Sequence, residues 1–209
     1  MYARVTTVTG ASDVDRGLAL LRDHVVPQMK QQKGFRGLSV AGDRAGGVFT
    51  VLALWDSQAE LEASEKVAES ARASVARLMG GQISVERYEE TVCEASDTSP
   101  GPEAKLHIRH IKVDPERIDD NLAFFRQKVL PDMKTRPGFM AVRQLIDRNT
   151  GKGRVGSLWT DEASLSASLA QSDQRRTKAK DRGVEFGEGR VLQILYTTNQ
   201  GTGEPGPPP

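Results

Sequence analysis

The stretch VVPQMKQQKGF at residues 25–35 recurs as VLPDMKTRPGF at residues 129–139. The proline, the Met-Lys pair and the Gly-Phe pair repeat at a shift of about 104 positions, and the sequence aligns with itself around them for roughly forty residues without a gap. The same shift carries Leu54-Trp55 onto Leu158-Trp159. Because Trp and Pro are rare residues, their recurrence at one offset indicates a unit written twice.

The two repeats share one order of predicted elements. In the first repeat, Tyr2–Thr9 alternates like a β-strand, and Asp13 can cap a helix with one apolar face. A hairpin turn at residues 43–47, a second helix and a strand over Ile83–Val92 follow. The last strand of the second repeat is predicted at Val191–Thr198. The order β-α-β-β-α-β is that of the ferredoxin-like split unit.

The predicted third strand, Val48–Trp55, is apolar on both faces. A sheet with helices on one side and solvent on the other should alternate, so this strand needs cover on both faces. Its own helices cover one face, and the sheet of the other repeat can cover the second. We therefore predict an α+β fold in which two tandem ferredoxin-like units form an internal pseudo-dimeric α+β barrel, and a chain that is monomeric.

Two segments with little to bury mark the boundaries of the repeats. Residues 94–104, EASDTSPGPEA, are rich in Pro, Ser and acidic side chains and are typical of a linker. They separate a first ferredoxin-like unit at 1–93 from a second at 105–198. Residues 199–209, NQGTGEPGPPP, have the composition of a disordered tail.

The bulk composition predicts a globular protein of the cytoplasm, with neither a membrane nor a nucleic acid as partner. The net charge is +1, which favours neither nucleic acid nor an anionic membrane as a partner. The single cysteine, Cys93, allows no intrachain disulfide, which indicates a reducing compartment. We expect no leader sequence and no membrane span, because no apolar run approaches the ~18 residues that a span needs. One basic run is interleaved with acidic residues and favours a solvated helix face: Arg175, Arg176, Lys178, Lys180 and Arg182.

The sequence resembles the antibiotic biosynthesis monooxygenase family of dimeric α+β barrels. The resemblance rests on the proline followed by Gly34-Phe35, on the strand that ends in Leu54-Trp55, and on the Ala-rich second helix, and it covers most of both repeats. The family includes cofactor-independent oxygenases that act on aromatic polyketides, quinol oxygenases and haem-degrading enzymes. It implies the fold more firmly than a reaction.

The resemblance implies a pocket between the sheet and the two helices of each unit. In the first repeat, the resemblance implies that Trp55 lines this pocket together with Arg4 and Thr6 of the first strand. In the second repeat, it implies that Trp159 lines the pocket together with His107 and Arg109. Each strand pair is two residues apart and shares one face of its strand.

These residues also have other interpretations. Trp55 and Trp159 can equally be core residues that anchor the second helix, and His107 can be satisfied within the sheet rather than act as a general base. Asn121 can polarise a substrate oxygen or be a half-exposed helix residue. The polar residues of the second repeat favour it as the catalytic one, with His107, Arg109 and Trp159 in that role. The candidate binding residues are Arg4, Thr6, Trp55 and Asn121.

Neither a metal nor another cofactor is expected. The sequence has no His-x-x-x-His motif and no cysteine pair, and His107 and His110 lie on opposite faces of one strand. Haem-degrading members of the family place a histidine ligand on the second helix, about nine residues after the Trp. This chain has Ser64 and Ser168 there, so the resemblance does not extend to haem degradation.

Two functions remain open. The first is a cofactor-independent monooxygenase for a small aromatic or quinol-type substrate, in which a substrate anion reacts directly with dioxygen inside a water-excluding pocket. The second is a non-catalytic module for small-ligand binding or for structure. Whether the chain is an enzyme is left open by the sequence.

Overall fold

The computed structural model describes residues 1–97 and 99–198, with the backbone alone at residues 173–175. The predicted disordered tail at 199–209 lies outside the described residues. No described helix is both long enough and apolar enough to cross a bilayer.

Each repeat has the predicted order of elements. The first contains β1 (Tyr2–Thr9), α1 (Val14–Leu20), α2 (Val26–Lys30), β2 (Phe35–Asp43), β3 (Val48–Trp55), α3 (Gln58–Ala63), α4 (Glu65–Met79) and β4 (Gln82–Ala95). The second contains β5 (Lys105–Val113), a 3-10 turn (Pro115–Arg117), α5 (Ile118–Phe124), α6 (Leu130–Lys134), β6 (Phe139–Ile146), β7 (Lys152–Trp159), α7 (Glu162–Ala170), α8 (Asp173–Lys180) and β8 (Val184–Thr197).

Local chemistry explains how the first helical segment of each repeat begins and widens. The carboxylate of Asp13 accepts a hydrogen bond from the amide of Arg16 at 2.9 Å, which confirms the predicted cap of α1. A π-helical turn, Leu21–Val25, joins α1 to α2 just before Pro27, and Phe125–Val129 does the same before Pro131. Because proline has no N–H, the α-helical ladder cannot continue unchanged through it, and a wider turn absorbs the mismatch.

The strands form a closed barrel in the order β1-β3-β2-β8-β5-β7-β6-β4. Within each repeat the order is fourth, first, third, second, which is the ferredoxin-like arrangement. The strand β3 has buried residues at both ends and on both faces, as its lack of alternation predicts. The predicted α+β fold, with tandem ferredoxin-like units in a pseudo-dimeric barrel, is therefore confirmed.

The repeated Gly-Phe and Leu-Trp pairs meet at one end of β3 and of β7. Phe35 packs edge-on against Trp55 with ring centroids 5.6 Å apart, and Phe139 packs in the same way against Trp159 at 5.7 Å. Gly34 has φ of +72°, a conformation that favours glycine. This contact explains why both pairs recur at the same offset.

The fourth strands are longer than the sequence predicts. Both β4 and β8 have 14 residues. The structure starts β8 at Val184, so the predicted start at Val191 is wrong, and β4 continues to Ala95, inside the segment predicted as a linker. The early part of β8 is mostly exposed. It therefore lacks the hydrophobic alternation that marks a strand in sequence.

The chain divides into two compact units that do not coincide with the repeats. Among the described residues, unit 1 comprises residues 1–87 and 193–198, and unit 2 comprises Tyr88–Leu192. In unit 1 the end of β8 pairs with β2, with Ser39 opposite Thr197. In unit 2 the end of β4 pairs with β6, with Glu94 opposite Val142. The repeat boundaries at 1–93 and 105–198 stay a prediction about the duplication.

Each unit has its own hydrophobic core. The largest fully buried side chains in unit 1 are Phe49, Trp55, Leu61 and Met79. Those in unit 2 are Ile118, Ile146, Trp159 and Leu165. The two tryptophans therefore belong to separate cores. Each core can be considered separately as part of a ligand site.

Candidate functional site

A partly open cavity lies in unit 1 between the sheet and its helices. Its walls come from β1, β2, β3 and the start of β4 on one side and from α2, α4 and the first π turn on the other. Its volume is about 60 Å³, counted as the space that the centre of a water molecule can occupy. That is room for several waters or for part of a small flat ligand. The lining is mostly apolar; the side chains in it that carry N–H or O–H groups are Arg4, Thr6, Trp55 and Arg72.

Arg4 is a buried cation at this cavity, with 3% of its surface exposed. Its Nη1 donates to Ser64 Oγ at 3.1 Å, and its Nη2 donates to the carbonyl of Leu61 at 2.6 Å. The guanidinium carbon lies 4.8 Å from the centroid of the Trp55 ring, in cation–π contact. The first strand and the end of the third strand therefore hold Arg4 and Trp55 together, as the resemblance implies.

Three arginines converge on Glu65 at the start of α4. Glu65 Oε2 lies 2.9 Å from Arg4 Nη2 and 2.8 Å from Arg87 Nη2, and Arg72 Nη2 binds Glu65 Oε1. Burial, with the positive charges of Arg72 and Arg87, lowers the pKa of Arg4 to about 10, although the nearby Glu65 opposes this shift. Arg4 is therefore still a cation at neutral pH.

The pKa of Glu65 is lowered by this network. Burial acts in the opposite direction, but the hydrogen bonds from Arg72 and Arg87 and the charges of Arg4 and Arg72 outweigh it. Glu65 is thus an ionised counter-ion for the arginines and not a free base.

Three buried N–H groups around the cavity lack a hydrogen-bond acceptor. They are Nε of Arg4, Nε1 of Trp55 and Nη1 of Arg72. All three side chains line the same cavity. A buried donor without a partner is unfavourable by about 1–3 kcal/mol, so such donors at a cavity indicate a place for an acceptor atom.

The second repeat places different chemistry at the matching positions. Arg4 pairs with Ala53 in the β1–β3 register, and His107 pairs with Ser157 in the β5–β7 register, so His107 occupies the place of Arg4. Trp159 Nε1 donates to Ser157 Oγ at 3.0 Å. The indole nitrogen of Trp159 is therefore satisfied, whereas that of Trp55 is not.

His107 is buried, with 8% of its surface exposed. Burial lowers its pKa to about 4, and the positive charges of Arg109 and Arg176 act in the same direction. Arg109 donates through Nη1 to the carbonyl of Gly187 at 2.8 Å. His107 is neutral at pH 7, and the proposal that His107, Arg109 and Trp159 are catalytic stays a prediction.

Asn121 and Thr6 have different surroundings. Asn121 is buried rather than half-exposed, and its Nδ2 donates to the carbonyls of Arg117 at 2.9 Å and Arg182 at 3.4 Å. These bonds join α5 to the segment before β8, and the role of Asn121 as a binding residue stays a prediction. Thr6 lines the unit 1 cavity with Arg4.

Sequence reasoning missed Glu65, the ion-pair partner of Arg4, and the two arginines that share its carboxylate. Glu65 and Arg72 are seven residues apart, which places them on one face of α4, and that spacing was a usable signal. Arg87 comes from β4, and only the folded chain brings it to Glu65.

No family model matches the chain. The uncharacterized protein Rv2557 of Mycobacterium tuberculosis is 26% identical over 187 residues, covering 88% of this chain and 83% of that protein. Rv2558 of the same organism is 26% identical over 195 residues, covering 93% and 81%.

Solved structures show the fold. A candidate monooxygenase of Fusobacterium nucleatum, FN1347, superposes with a TM-score of 0.70 at 15% identity, covering 96% of this chain and 94% of that one. An anthrone oxidase-like protein superposes with a TM-score of 0.65 at 17% identity, covering 94% and 92%. These neighbours support the resemblance to antibiotic biosynthesis monooxygenases, and this chain has the fold of that class of proteins.

Haem does not fit the residues of this chain. A heme-degrading enzyme of Listeria monocytogenes shares the fold with a TM-score of 0.54 at 12% identity, covering 92% of this chain and 99% of that one. Here Ser64 stands at the position where the family resemblance implies a histidine ligand, and its hydroxyl is bonded to Leu61 and Arg4.

Proposed function

We propose that unit 1 binds a small aromatic or quinol-type molecule and oxygenates it without a cofactor. The observation that carries the proposal is the apolar cavity walled by Trp55, with the buried cation Arg4 against the same ring. An aromatic ring suits the walls, and an ionised oxygen suits the cation.

The reaction needs no electron donor besides the substrate. A CH₂ group activated by neighbouring rings or a carbonyl loses a proton to solvent water, because none of the described lining side chains is suited to accept it, and the resulting carbanion or enolate reacts with dioxygen. The carbon loses two hydrogens and gains one oxygen atom, and the second oxygen atom leaves as water. Arg4 would stabilise the substrate anion, and the apolar walls would exclude bulk water.

Oxygen uptake tests this proposal. Purified protein should accelerate oxygen consumption with an anthrone or a hydroquinone, and ¹⁸O₂ should place a single labelled atom in an anthrone product. Ala71→Phe should abolish the acceleration, because Ala71 lines the cavity. Ala73→Phe, at an exposed position of the same helix, is the matched control and should keep it. Uptake no faster than without protein would refute the oxygenase proposal.

Ligand binding without turnover is the second candidate. Among the described residues that line the cavity there is no histidine, aspartate or glutamate, so no side chain there is suited to be a general base. Binding that Ala71→Phe removes, together with no oxygen uptake, would favour this function.

A further inference from the structure

We infer that the unit 1 cavity is selective for ligands with a carboxylate, which Arg4 and Arg72 bind together. The inference rests on the proposed role of this cavity as a ligand site and names the class of ligand. It adds Arg72, on α4, as a specificity-determining residue.

Two buried N–H groups without an acceptor favour a carboxylate as the ligand. Nε of Arg4 and Nη1 of Arg72 are buried and have no acceptor among the described residues, and both side chains line one cavity. They come from two different guanidinium groups, each anchored elsewhere, because Arg4 binds Leu61 and Ser64 and Arg72 binds Glu65. The donors are therefore held in place before a ligand arrives. A carboxylate has two oxygens, one for each guanidinium group.

The local charge carries the second step. Three guanidinium groups, those of Arg4, Arg72 and Arg87, face the single carboxylate of Glu65, which leaves an excess of two positive charges. Arg4 is nearly fully buried, so solvent does little to offset that excess on its side. A ligand that brings a negative charge is favoured over a neutral ligand of the same shape.

The ionisation of the ligand decides between a carboxylate and a phenol. A carboxylic acid is already ionised at pH 7, whereas a phenol with a pKa near 10 must first give up a proton. The apolar lining around the donors suits the hydrocarbon part of such an acid.

Binding of benzoate and benzamide to the ¹⁵N-labelled full chain tests the inference. The chain has two tryptophans, and their indole N–H signals report separately on Trp55 at the cavity and on Trp159 in unit 2. Benzoate should shift the Trp55 signal, leave the Trp159 signal in place and bind about tenfold more tightly than benzamide. Equal affinity, tighter binding of benzamide, or no shift of Trp55 up to the solubility limit of benzoate would overturn the inference.

Variants test whether Arg72 binds the carboxylate directly or only adds positive charge near the cavity. Arg72→Met should weaken benzoate about tenfold and leave benzamide unchanged, and Arg72→Lys should restore only part of the preference. Arg87→Met is the matched control, because Arg87 also binds Glu65 but does not line the cavity. Well-dispersed amide signals from residues of both units, in the absence of ligand, report that a variant is folded. If Arg87→Met and Arg72→Met weaken benzoate equally, the assignment to Arg72 is wrong.

The outcomes are distinct from those of the oxygenase test. Preferential benzoate binding without oxygen uptake would leave the carboxylate site standing and refute the oxygenase. Oxygen uptake with equal binding of benzoate and benzamide would support the oxygenase and refute the carboxylate site.

Discussion

Replacing Glu65 with Gln removes the one negative charge that three arginines share. Arg4 Nη2 lies 2.9 Å from Glu65 Oε2, a contact worth roughly 6 kcal/mol at an effective dielectric constant of about 20, before desolvation is subtracted. Loss of one partner of a buried ion pair destabilises by about 3–5 kcal/mol. Because the Glu65 side chain is 32% exposed, we expect a smaller loss of about 2–3 kcal/mol.

Urea unfolding at pH 7 measures this loss. With a slope of about 2–3 kcal/mol per molar urea, the midpoint should fall by about 1 M. Glu69→Gln, at an exposed site of the same helix, is the matched control and should change the midpoint little. Equal midpoints for the two variants would refute the view that Glu65 holds the arginines together.

The pH dependence gives an independent check. The pKa of Glu65 is held below its ordinary 4.5, so its contribution is present above that pH and is lost as the pH falls through the folded-state pKa. The free energies of unfolding of wild type and Glu65→Gln should therefore converge in acid. A difference that persists after the wild-type carboxylate is protonated would contradict the ionic explanation.

Three further predictions concern other parts of the chain. The pKa of His107 is about 4 in the folded chain against an ordinary 6.5, so the unfolded state binds the proton more readily. The free energy of unfolding should therefore fall by about 1–2 kcal/mol between pH 8 and pH 5. This fall should be absent in His107→Gln. Gly151→Ala should lose about 1–3 kcal/mol in urea unfolding, because Gly151 has φ of +69° and a Cβ there would lie 1.7 Å from the carbonyl oxygen of Val113. A fragment of residues 1–95 lacks the strand that pairs with Ser39–Gly42, so it should associate in light scattering, whereas the full chain should be monomeric.

Each of these predictions has a control. His24→Gln, at an exposed site, should keep the wild-type loss of stability toward pH 5. Gly101→Ala should change stability by less than about 0.5 kcal/mol, since nothing lies within 4 Å of a Cβ there. Adding a peptide of residues 193–198 should suppress association of the fragment if the unpaired edge of β2 causes it. A monomeric fragment, or a full chain that dimerises, would contradict the edge argument.

The sequence by itself determined the duplication, the order of elements and the likeness to a known class of barrels. These features are local: a capped helix, an apolar stripe or a strand that ends in Leu-Trp is written in neighbouring residues. The sequence also led us to expect Arg4 close to Trp55, because the resemblance carries both positions. It did not find the start of β8 at Val184, since that part of the strand is exposed and has no hydrophobic alternation.

Only the tertiary structure decided how the two repeats differ chemically. Arg4 meets Glu65 across sixty-one positions of the chain, and Arg87 reaches the same carboxylate from β4. In the second repeat a serine satisfies the Trp159 indole, and His107 takes the place of Arg4. Such differences depend on which side chains become neighbours after folding and on which donors are left without an acceptor. Sequence periodicity records neither, because it describes the face on which a residue lies and not the atoms that it meets there.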